Sequence, residues 1–447
     1  MKKVLSLLLC AAMMVTLASC AEKEPKEPKE PERTLPAGTL VDGRMEWTLS
    51  DETATIHGRY AVEPHAGENA YAFSHGAAGF AANFTGTDFW MYVPEVPTEN
   101  NKPRTVEVAV VIDSEMAMDA TMVPIEDKGW IQLASGLSEG DHHIEVRKRD
   151  RSFYGMLTAD YFCASKIAVN EAGTLKLPDL ISDFVIEVYG DSISNGDAVW
   201  KREDGSNCSY TYGNWTGVLE RLLDAEVRVT ANTGNGLLGW ILAQKNGKLD
   251  NLYPPQKNWN KVDPHRTGDL AWSHEGNNAA DVVIINLGTN DRVELGNGDL
   301  PHEVFEDEYI RFIKEIRTDC PDAMVIATVG AMGSLDSYGV DFNRICSECN
   351  TWAGKDFVFF LPLDEDKTIT GGPAWDNGHP SNLAGEIYGL QLANMIKKYK
   401  GLDTELPDDI PVSAFTAKVS GEVPQGNLIE YCTKKTDTIS RAIALIP

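Results

Sequence analysis

The second half of the chain alternates short apolar strands with amphipathic helices, and this order constrains its fold more than any other feature. Compact apolar runs at residues 184–189, 226–231 and 281–287 predict buried strands. Between them, apolar residues recur at helical spacing over 215–223 and 304–316. Strands that alternate with helices in this way predict an α/β fold, in which helices cover both faces of a parallel sheet.

The same order continues towards the C-terminus. Apolar runs at 324–329 and 357–361 predict two more strands, and a long helix is expected over 382–400. Gly401, directly after this helix, is a typical C-terminal cap. Residues 402–447 contain several prolines and little periodicity. This segment could be an extended strap that packs on one domain, or it could be partly disordered.

Residues 35–177 have a different pattern, in which short β segments are separated by turn residues. The stretch 105–112 alternates apolar with small or polar positions, as a half-buried strand does. Several such segments predict an antiparallel β-sandwich of jelly-roll type. We therefore expect a β-sandwich domain at 35–177 and a three-layer α/β/α domain at 178–401, followed by a C-terminal extension at 402–447.

The first 34 residues have the composition of a targeting segment. Two lysines precede a short apolar run, which predicts a signal peptide at 1–19. The run ends in Leu17-Ala18-Ser19-Cys20, which resembles a bacterial lipobox and implies cleavage before Cys20 and a lipid on its sulfur. Residues 20–34 repeat Pro, Glu and Lys and predict an extended tether. The alternative is an ordinary secretory signal with an incidental cysteine.

The net charge and the predicted lipid anchor together limit what the protein can bind. The chain has 40 Lys and Arg against 67 Asp and Glu, a formal charge of −27, so its surface repels polyanions and nucleic-acid binding is excluded from the expected functions. A lipid on Cys20 would hold the protein at a membrane. We expect a cell-envelope lipoprotein that faces the periplasm or lies on the outer-membrane surface, with inner or outer membrane and oligomeric state left open.

The cysteines do not predict a metal site. Cys346 and Cys349 have the spacing of a redox or metal motif, but no second pair with that spacing accompanies them. Buried cysteines on a helix, or an incidental disulfide, explain the pair better. We therefore expect no metal.

Polar motifs follow the predicted strands, where ligand sites of parallel sheets lie. Gly190-Asp191-Ser192 follows the first strand and offers an exposed hydroxyl as a nucleophile. Asp376-Asn377-Gly378-His379 precedes the last helix, and an Asp three residues before a His can orient the imidazole as a general base. Each motif alone could be an ordinary turn.

Four segments together resemble the SGNH (GDSL-type) hydrolase superfamily: 189–192, 232–236, 287–291 and 376–379. The resemblance covers roughly residues 184–400 and implies a flavodoxin-like domain that needs no cofactor. It makes Ser192 the nucleophile, His379 the base and Asp376 the acid, with Asp364 and Asp366 as reserves for the acid. The implied oxyanion hole consists of the Ser192 amide, the Asn290 side chain and Gly236, with Gly234 as the alternative register. Asp291 is then expected to brace its loop.

A β-sandwich before such a domain, with His57-Gly58-Arg59-Tyr60 near its start, looks like carbohydrate esterase family 2. This resemblance implies a serine-dependent O-acetyl esterase that acts through an acyl-enzyme on acetylated xylan or mannan. Trp240 and Trp375 could each stack on a sugar ring or belong to the core. The alternatives are a lipid acyl esterase, thioesterase or lysophospholipase, and a non-catalytic glycan-binding lipoprotein.

Overall fold

The computed structural model describes residues 33–99, 102–103, 105–150, 161–201, 207–238, 259–262, 271–330, 332–333, 335–363 and 379–406. From Leu35 onwards these residues form one compact unit with an antiparallel half and a half built on parallel strands. Across the described residues, no helix has the length and hydrophobicity that crossing a bilayer requires.

The antiparallel half consists of short strands, as its sequence predicts. In chain order they are β1 Thr39–Val41, β2 Arg44–Thr48, β3 Thr55–His57, β4 Tyr60–His65, β5 Glu68–Phe73, β6 Gly79–Thr85, β7 Phe89–Val93, β8 Thr98–Glu99, β9 Lys102–Pro103, β10 Val106–Ile112, β11 Thr121–Ile125, β12 Gly129–Ala134, β13 Asp141–Lys148, β14 Phe162–Ala164, β15 Lys166–Asn170 and β16 Thr174–Leu175.

These strands form two facing sheets. We call β1-β2-β15-β7-β12 the outer sheet, and β11-β10-β13-β6-β16, with β3 beside β6, the inner sheet. A small sheet β14-β5-β4 and the pair β8-β9 complete this half. Aromatic and aliphatic side chains from both sheets, among them Phe80, Met91 and Ile167, form one buried core. The predicted antiparallel β-sandwich is therefore confirmed.

The parallel half alternates strands with helices. Its strands are β17 Val185–Gly190, β18 Trp200–Lys201, β19 Asn207–Cys208, β20 Glu226–Ala231, β21 Val282–Asn286, β22 Met324–Thr328 and β23 Val358–Phe360. Its helices are α1 Ser192–Asn195, α2 Trp215–Leu223, α3 Arg292–Asn297, α4 His302–Asp319, α5 Phe342–Ala353 and α6 Asn382–Lys400. Single 3₁₀ turns lie at Ala117–Asp119 in the sandwich and at Gly276–Asn278, Thr289–Asp291 and Asp336–Tyr338.

The main sheet of this half has the order β20-β17-β21-β22-β23, with all pairs parallel. This is the flavodoxin-like order. Residues of α2 and α6 pack on one face of the sheet, and residues of α4 and α5 pack on the other. The predicted three-layer α/β/α fold is therefore confirmed.

The edge strand β23 is capped by a side chain. Oδ1 of Asn350, on α5, accepts hydrogen bonds from the backbone amides of Phe357 and Val358, both at 2.9 Å. Its Nδ2 donates to the carbonyl oxygen of Val358 at 3.0 Å. One amide side chain thus bonds the amide and the carbonyl group of Val358, with which a further strand would otherwise pair.

The cysteines of the described part of the chain are free thiols. Cys346 and Cys349 are buried on α5, in agreement with the structural interpretation of their spacing. Burial raises the pKa of each thiol to about 12, so both are unreactive near neutral pH. The described residues contain no group of three or more side chains that could hold a metal ion.

The inner sheet packs directly on the parallel half. Alternate residues of β10 face the sandwich core, whereas Ala109 and Val111 face away from it. These two side chains belong to a buried cluster with Val199 and Tyr210 from the parallel half. The two halves therefore share apolar packing, and one face of the sandwich is covered by the other half.

Buried charges cross the same interface. Nδ1 of His57 lies 2.9 Å from Oε2 of Glu226, and the amide of Gly58 donates to Oε1 of that carboxylate at 2.7 Å. Nη2 of Arg59 donates to Oε2 of Glu187 at 2.8 Å, and both side chains are almost completely buried. The interface is therefore fixed by hydrogen-bonded charges as well as by apolar contact.

We predict that the protein loses stability in acid because Glu226, at this interface, becomes protonated. Burial alone would raise the pKa of Glu226, but His57 and Arg228 outweigh burial and lower it to about 2. A lowered carboxyl pKa stabilises the fold above the unfolded value near 4.5, and this contribution is lost as pH falls towards 2. Glu226→Gln should cost about 1 to 3 kcal/mol at neutral pH and flatten the acid dependence.

Urea unfolding across this pH window measures both effects. Glu139→Gln, which changes an exposed glutamate of the sandwich, serves as the control and should leave the wild-type pH dependence unchanged. An equally steep loss of stability in acid for Glu226→Gln and the wild type would contradict the assignment.

Candidate active site

Three loops meet at the carboxyl end of β17. This strand lies between β20 and β21, so the loops that follow these three strands share one edge of the sheet. They comprise residues 191–195, 232–236 and 288–291. The strand order reverses at β17, which is where ligand sites of such sheets lie. The three predicted motifs thus come together.

The side-chain amide of Asn290 joins the loops. Its Nδ2 donates to the carbonyl oxygen of Asn235 at 2.9 Å and to Oδ2 of Asp191 at 3.3 Å. Asn235 directly precedes Gly236, and Asp191 directly precedes Ser192. The amide therefore contacts the residues that directly precede Ser192 and Gly236, the other two positions predicted for the oxyanion hole.

The loop that carries Ser192 is fixed on both sides. Ser192 is the first residue of α1 and is only 3% exposed, so the exposed hydroxyl expected from the sequence is not observed. Oδ1 of Asp191 accepts a hydrogen bond from the amide of Ile193 at 2.9 Å, and Oγ of Ser194 donates to Oδ1 of Asn286 at 2.9 Å. These bonds hold the predicted nucleophile in one backbone geometry.

Asp291 braces the second loop, as predicted. Its carboxylate accepts hydrogen bonds from the amides of Leu237 at 2.7 Å and Leu238 at 2.5 Å. A Cβ at Gly236 would lie only 2.7 Å from Oδ2 of Asp291, so this position requires glycine. Gly234, the alternative register, has a φ of +81° and turns the chain instead.

The segment with His379 is attached to the Ser192 loop through α6. His379 lies just before this helix, whose N-cap is Ser381. The helix approaches α2 so closely that a Cβ at Gly385 would lie 3.1 Å from Oδ1 of Asn214. Nδ2 of Asn214 donates in turn to the carbonyl oxygen of Ile193 at 2.6 Å. The helix that follows His379 and the loop that carries Ser192 are therefore linked through Asn214.

Several predicted residues lie outside the described residues, and their roles stay predictions. They are Asp376 as the acid, Asp364 and Asp366 as its reserves, Trp240 and Trp375 as sugar contacts, and Cys20 as the lipidated residue.

The site is acidic. Burial raises the pKa of Asp191 to about 7, and the nearby carboxylates of Asp197 and Asp291 act in the same direction, against the amide of Ile193 and the charge of Arg292. Asp191 is therefore partly protonated at neutral pH. Clustered carboxyl groups of this kind disfavour an anionic substrate and suit a neutral ester.

Asp197 is a site residue that sequence reasoning missed. Its carboxylate accepts hydrogen bonds from Oγ1 of Thr233 at 2.8 Å, Oγ of Ser209 at 2.7 Å and Nδ2 of Asn195 at 2.9 Å. It thus ties the Ser192 loop to the second loop. An Asp five residues after a serine gives no signal by itself, because its partner Thr233 is brought close only by the strand pairing.

Comparison with known proteins agrees with this geometry. Residues 188–384 match the GDSL-like Lipase/Acylhydrolase family. The cellulase/esterase CelE of Acetivibrio thermocellus is 26% identical over 281 residues, which cover 61% of this chain and 32% of that protein. The match therefore spans about a third of the length of this relative.

Solved structures share the two-part architecture. The acetyl xylan esterase Est2A of Butyrivibrio proteoclasticus superposes with a TM-score of 0.65 at 15% identity, over 80% of this chain and 99% of that one. A family two carbohydrate esterase of Clostridium thermocellum, solved in complex with cellohexaose, gives 0.60 at 20% identity, over 78% and 99%. At these identities the likeness concerns the fold.

The family match supports the predicted enzyme class, a carboxylic ester hydrolase. It begins within β17, which carries the Ser192 loop, and ends within α6, directly after the segment with His379. It therefore includes all four motifs that the sequence singled out. Residues 188–384 are therefore similar to a GDSL-like lipase/acylhydrolase domain.

Proposed function

We propose that this chain is a serine-dependent O-acetyl esterase that removes acetyl groups from acetylated polysaccharide or oligosaccharide of xylan or mannan type. The observation that carries the proposal is the position of Asn290, whose amide bonds the residues directly before Ser192 and Gly236. Structural likeness to carbohydrate esterases supports the choice of a glycan ester. The acidic site supports a neutral substrate.

In the proposed reaction, Oγ of Ser192 attacks the carbonyl carbon of the acetyl group while His379 takes the hydroxyl proton. Negative charge then develops on the carbonyl oxygen. The backbone amides of Ser192 and Gly236 and the side chain of Asn290 stabilise that charge. Asp376 holds the imidazole in the tautomer that leaves Nε2 ready to accept a proton.

Collapse of this intermediate breaks the bond to the sugar oxygen, which leaves with the proton from His379. A water molecule, deprotonated by the same imidazole, then attacks the acetyl-enzyme and releases acetate. The free hydroxyl of Ser192 is restored. These steps use only side chains, backbone amides and water.

We also propose that a lipid on Cys20 anchors the enzyme in the cell envelope, facing the periplasm or on the outer-membrane surface. The lipobox-like Leu17-Ala18-Ser19-Cys20 and the Pro, Glu and Lys repeat behind it support this location. A tether of this composition would let the catalytic domain reach insoluble polysaccharide.

Ser192→Ala should abolish acetate release from acetylated xylan. Because no other group would attack the carbonyl, kcat should fall by a factor of about 10⁴ or more. The measurement is acetate released over time by the soluble protein that begins near Arg33.

Ser347→Ala, the same chemical change at an exposed position on α5, is the control and should keep full activity. Equal acetate release by the wild type and Ser192→Ala would show that Ser192 is not the nucleophile. No release by the wild type from any acetylated glycan would exclude the proposed substrate class.

Asn290→Ala should lower kcat more than it changes KM. Loss of one preorganised oxyanion donor typically lowers kcat about 10² to 10³-fold, or about 3 to 4 kcal/mol. Steady-state kinetics on a soluble acetyl ester separates the two parameters. Asn343→Ala on α5, which removes an exposed amide side chain, should change neither of them. A rise in KM alone would assign Asn290 to substrate binding instead.

The activity should depend on pH through Asp191. The raised pKa of about 7 means that Asp191 gains negative charge as pH rises through that value, beside the place where the oxyanion forms. The kcat/KM of the wild type should therefore decline relative to Asp191→Asn, which stays neutral.

The ratio of kcat/KM for wild type and Asp191→Asn, measured on both sides of pH 7, isolates this effect. Asp224→Asn, at the exposed end of α2, controls for the general loss of one charge. A ratio that stays constant with pH would contradict a titrating Asp191.

A further inference from the structure

Three aromatic side chains cluster on the outward face of the outer sheet. Along β7, Phe89, Met91 and Val93 are fully buried in the sandwich core. Trp90 and Tyr92 alternate with them and so point to the opposite face. Both are only half-buried.

The third ring comes from the neighbouring strand. Trp130 of β12 is the register partner of Tyr92, and the two rings meet edge to face with centroids 5.2 Å apart. Gln132 pairs with Trp90 on the same side. On the other side Trp90 is the register partner of Ala168 of β15. We call Trp90, Tyr92 and Trp130 the aromatic patch.

Charged side chains of both signs surround the aromatic patch. The guanidinium of Arg44 and the ammonium of Lys166 lie 5.0 and 5.1 Å from the ring centroids of Trp130 and Tyr92. Their charges are matched by carboxylates, because Arg44 lies 3.8 Å from Glu46 and Lys166 lies 3.5 Å from Glu68. A third carboxylate, that of Asp88, accepts a hydrogen bond from Nε2 of Gln132 at 3.0 Å, so these groups carry no excess of positive charge.

The aromatic patch lies away from the Ser192 loops. Ala109 and Val111, which face away from the sandwich core on the inner sheet, pack against the parallel half. The patch lies on the other sheet and faces the opposite way. A ligand on it would not compete with a substrate at Ser192.

We propose that the aromatic patch is a second glycan site, which binds a neutral polysaccharide. A sugar ring presents an apolar C–H face, which packs on an aromatic ring, and hydroxyl groups, which need donors and acceptors at the ring margin. The patch supplies the rings, and Arg44, Glu46 and Gln132 supply the donors and acceptors. Because the patch has no excess of positive charge, it favours a neutral polymer over a polyanion. The site extends the proposed function but does not depend on catalysis by Ser192.

Affinity electrophoresis of the soluble protein, with Ser192→Ala in every variant to prevent turnover, tests the site. The probes are deacetylated xylan and glucomannan, with polygalacturonate as the anionic comparison. The double substitution Trp90→Ala/Trp130→Ala should weaken binding of the neutral polymers about tenfold or more. Trp352→Ala, which removes an exposed tryptophan from α5, should not. The anionic polymer should not bind.

Two further measurements separate loss of the glycan site from misfolding and from loss of esterase activity. Trp130→Leu retains apolar cover over the sheet without a flat ring, and should weaken binding even if the double variant does not fold. With Ser192 intact, Trp90→Ala/Trp130→Ala should hydrolyse p-nitrophenyl acetate at the wild-type rate. Patch-dependent binding without any esterase activity would leave the second site standing and remove the proposed function.

Two results would overturn the second site. One is unchanged binding of both neutral polymers by folded Trp90→Ala/Trp130→Ala and Trp130→Leu. The other is a wild-type dimer that becomes a monomer in these variants, because the aromatic patch would then be an interface between two copies of the chain.

Discussion

The pairing of β17 with a parallel strand on each side is the constraint on which the candidate site depends. Because β20 and β21 flank β17, the chain leaves all three strands at the same edge. The residues of β17 are buried throughout, so any shift of its register would disturb the packing on both faces of the sheet. The loops with Ser192, Gly236 and Asn290 are therefore positioned by the core.

The β-sandwich also helps to hold β17 in place, through Arg59. Arg59 donates hydrogen bonds to Glu187 and to the hydroxyl of Tyr189, both on β17, at 2.8 Å. It also donates to the carbonyl oxygen of Lys261 at 2.9 Å. Removing one partner of such a buried pair typically costs about 3 to 5 kcal/mol, because the other charge stays buried. The strand that leads to Ser192 is thus held partly by the other half of the molecule.

Much of this arrangement could be predicted from the sequence, and there is a physical reason why the remainder could not. The bounds of α2, β20 and α6 match the expected ones, since strong apolar periodicity decides them locally. Ligand sites lie beyond the carboxyl ends of parallel strands, and this rule predicted that Ser192 and Asn290 belong to one site. Two features gave no local signal in the sequence. One is the contact of Arg59 with Glu187, which spans 128 positions, and the other is the raised pKa of Asp191. Both arise from residues that only folding makes neighbours.

The cap on β23 matters at high protein concentration, where molecules meet often. An open edge of a parallel sheet is a template on which another chain can add a strand, and such growth ends in fibrils. Asn350 already bonds the amides of Phe357 and Val358 and the carbonyl oxygen of Val358. An incoming strand would have to displace that side chain first. At this edge of the parallel sheet, a single asparagine therefore hinders the addition of another strand.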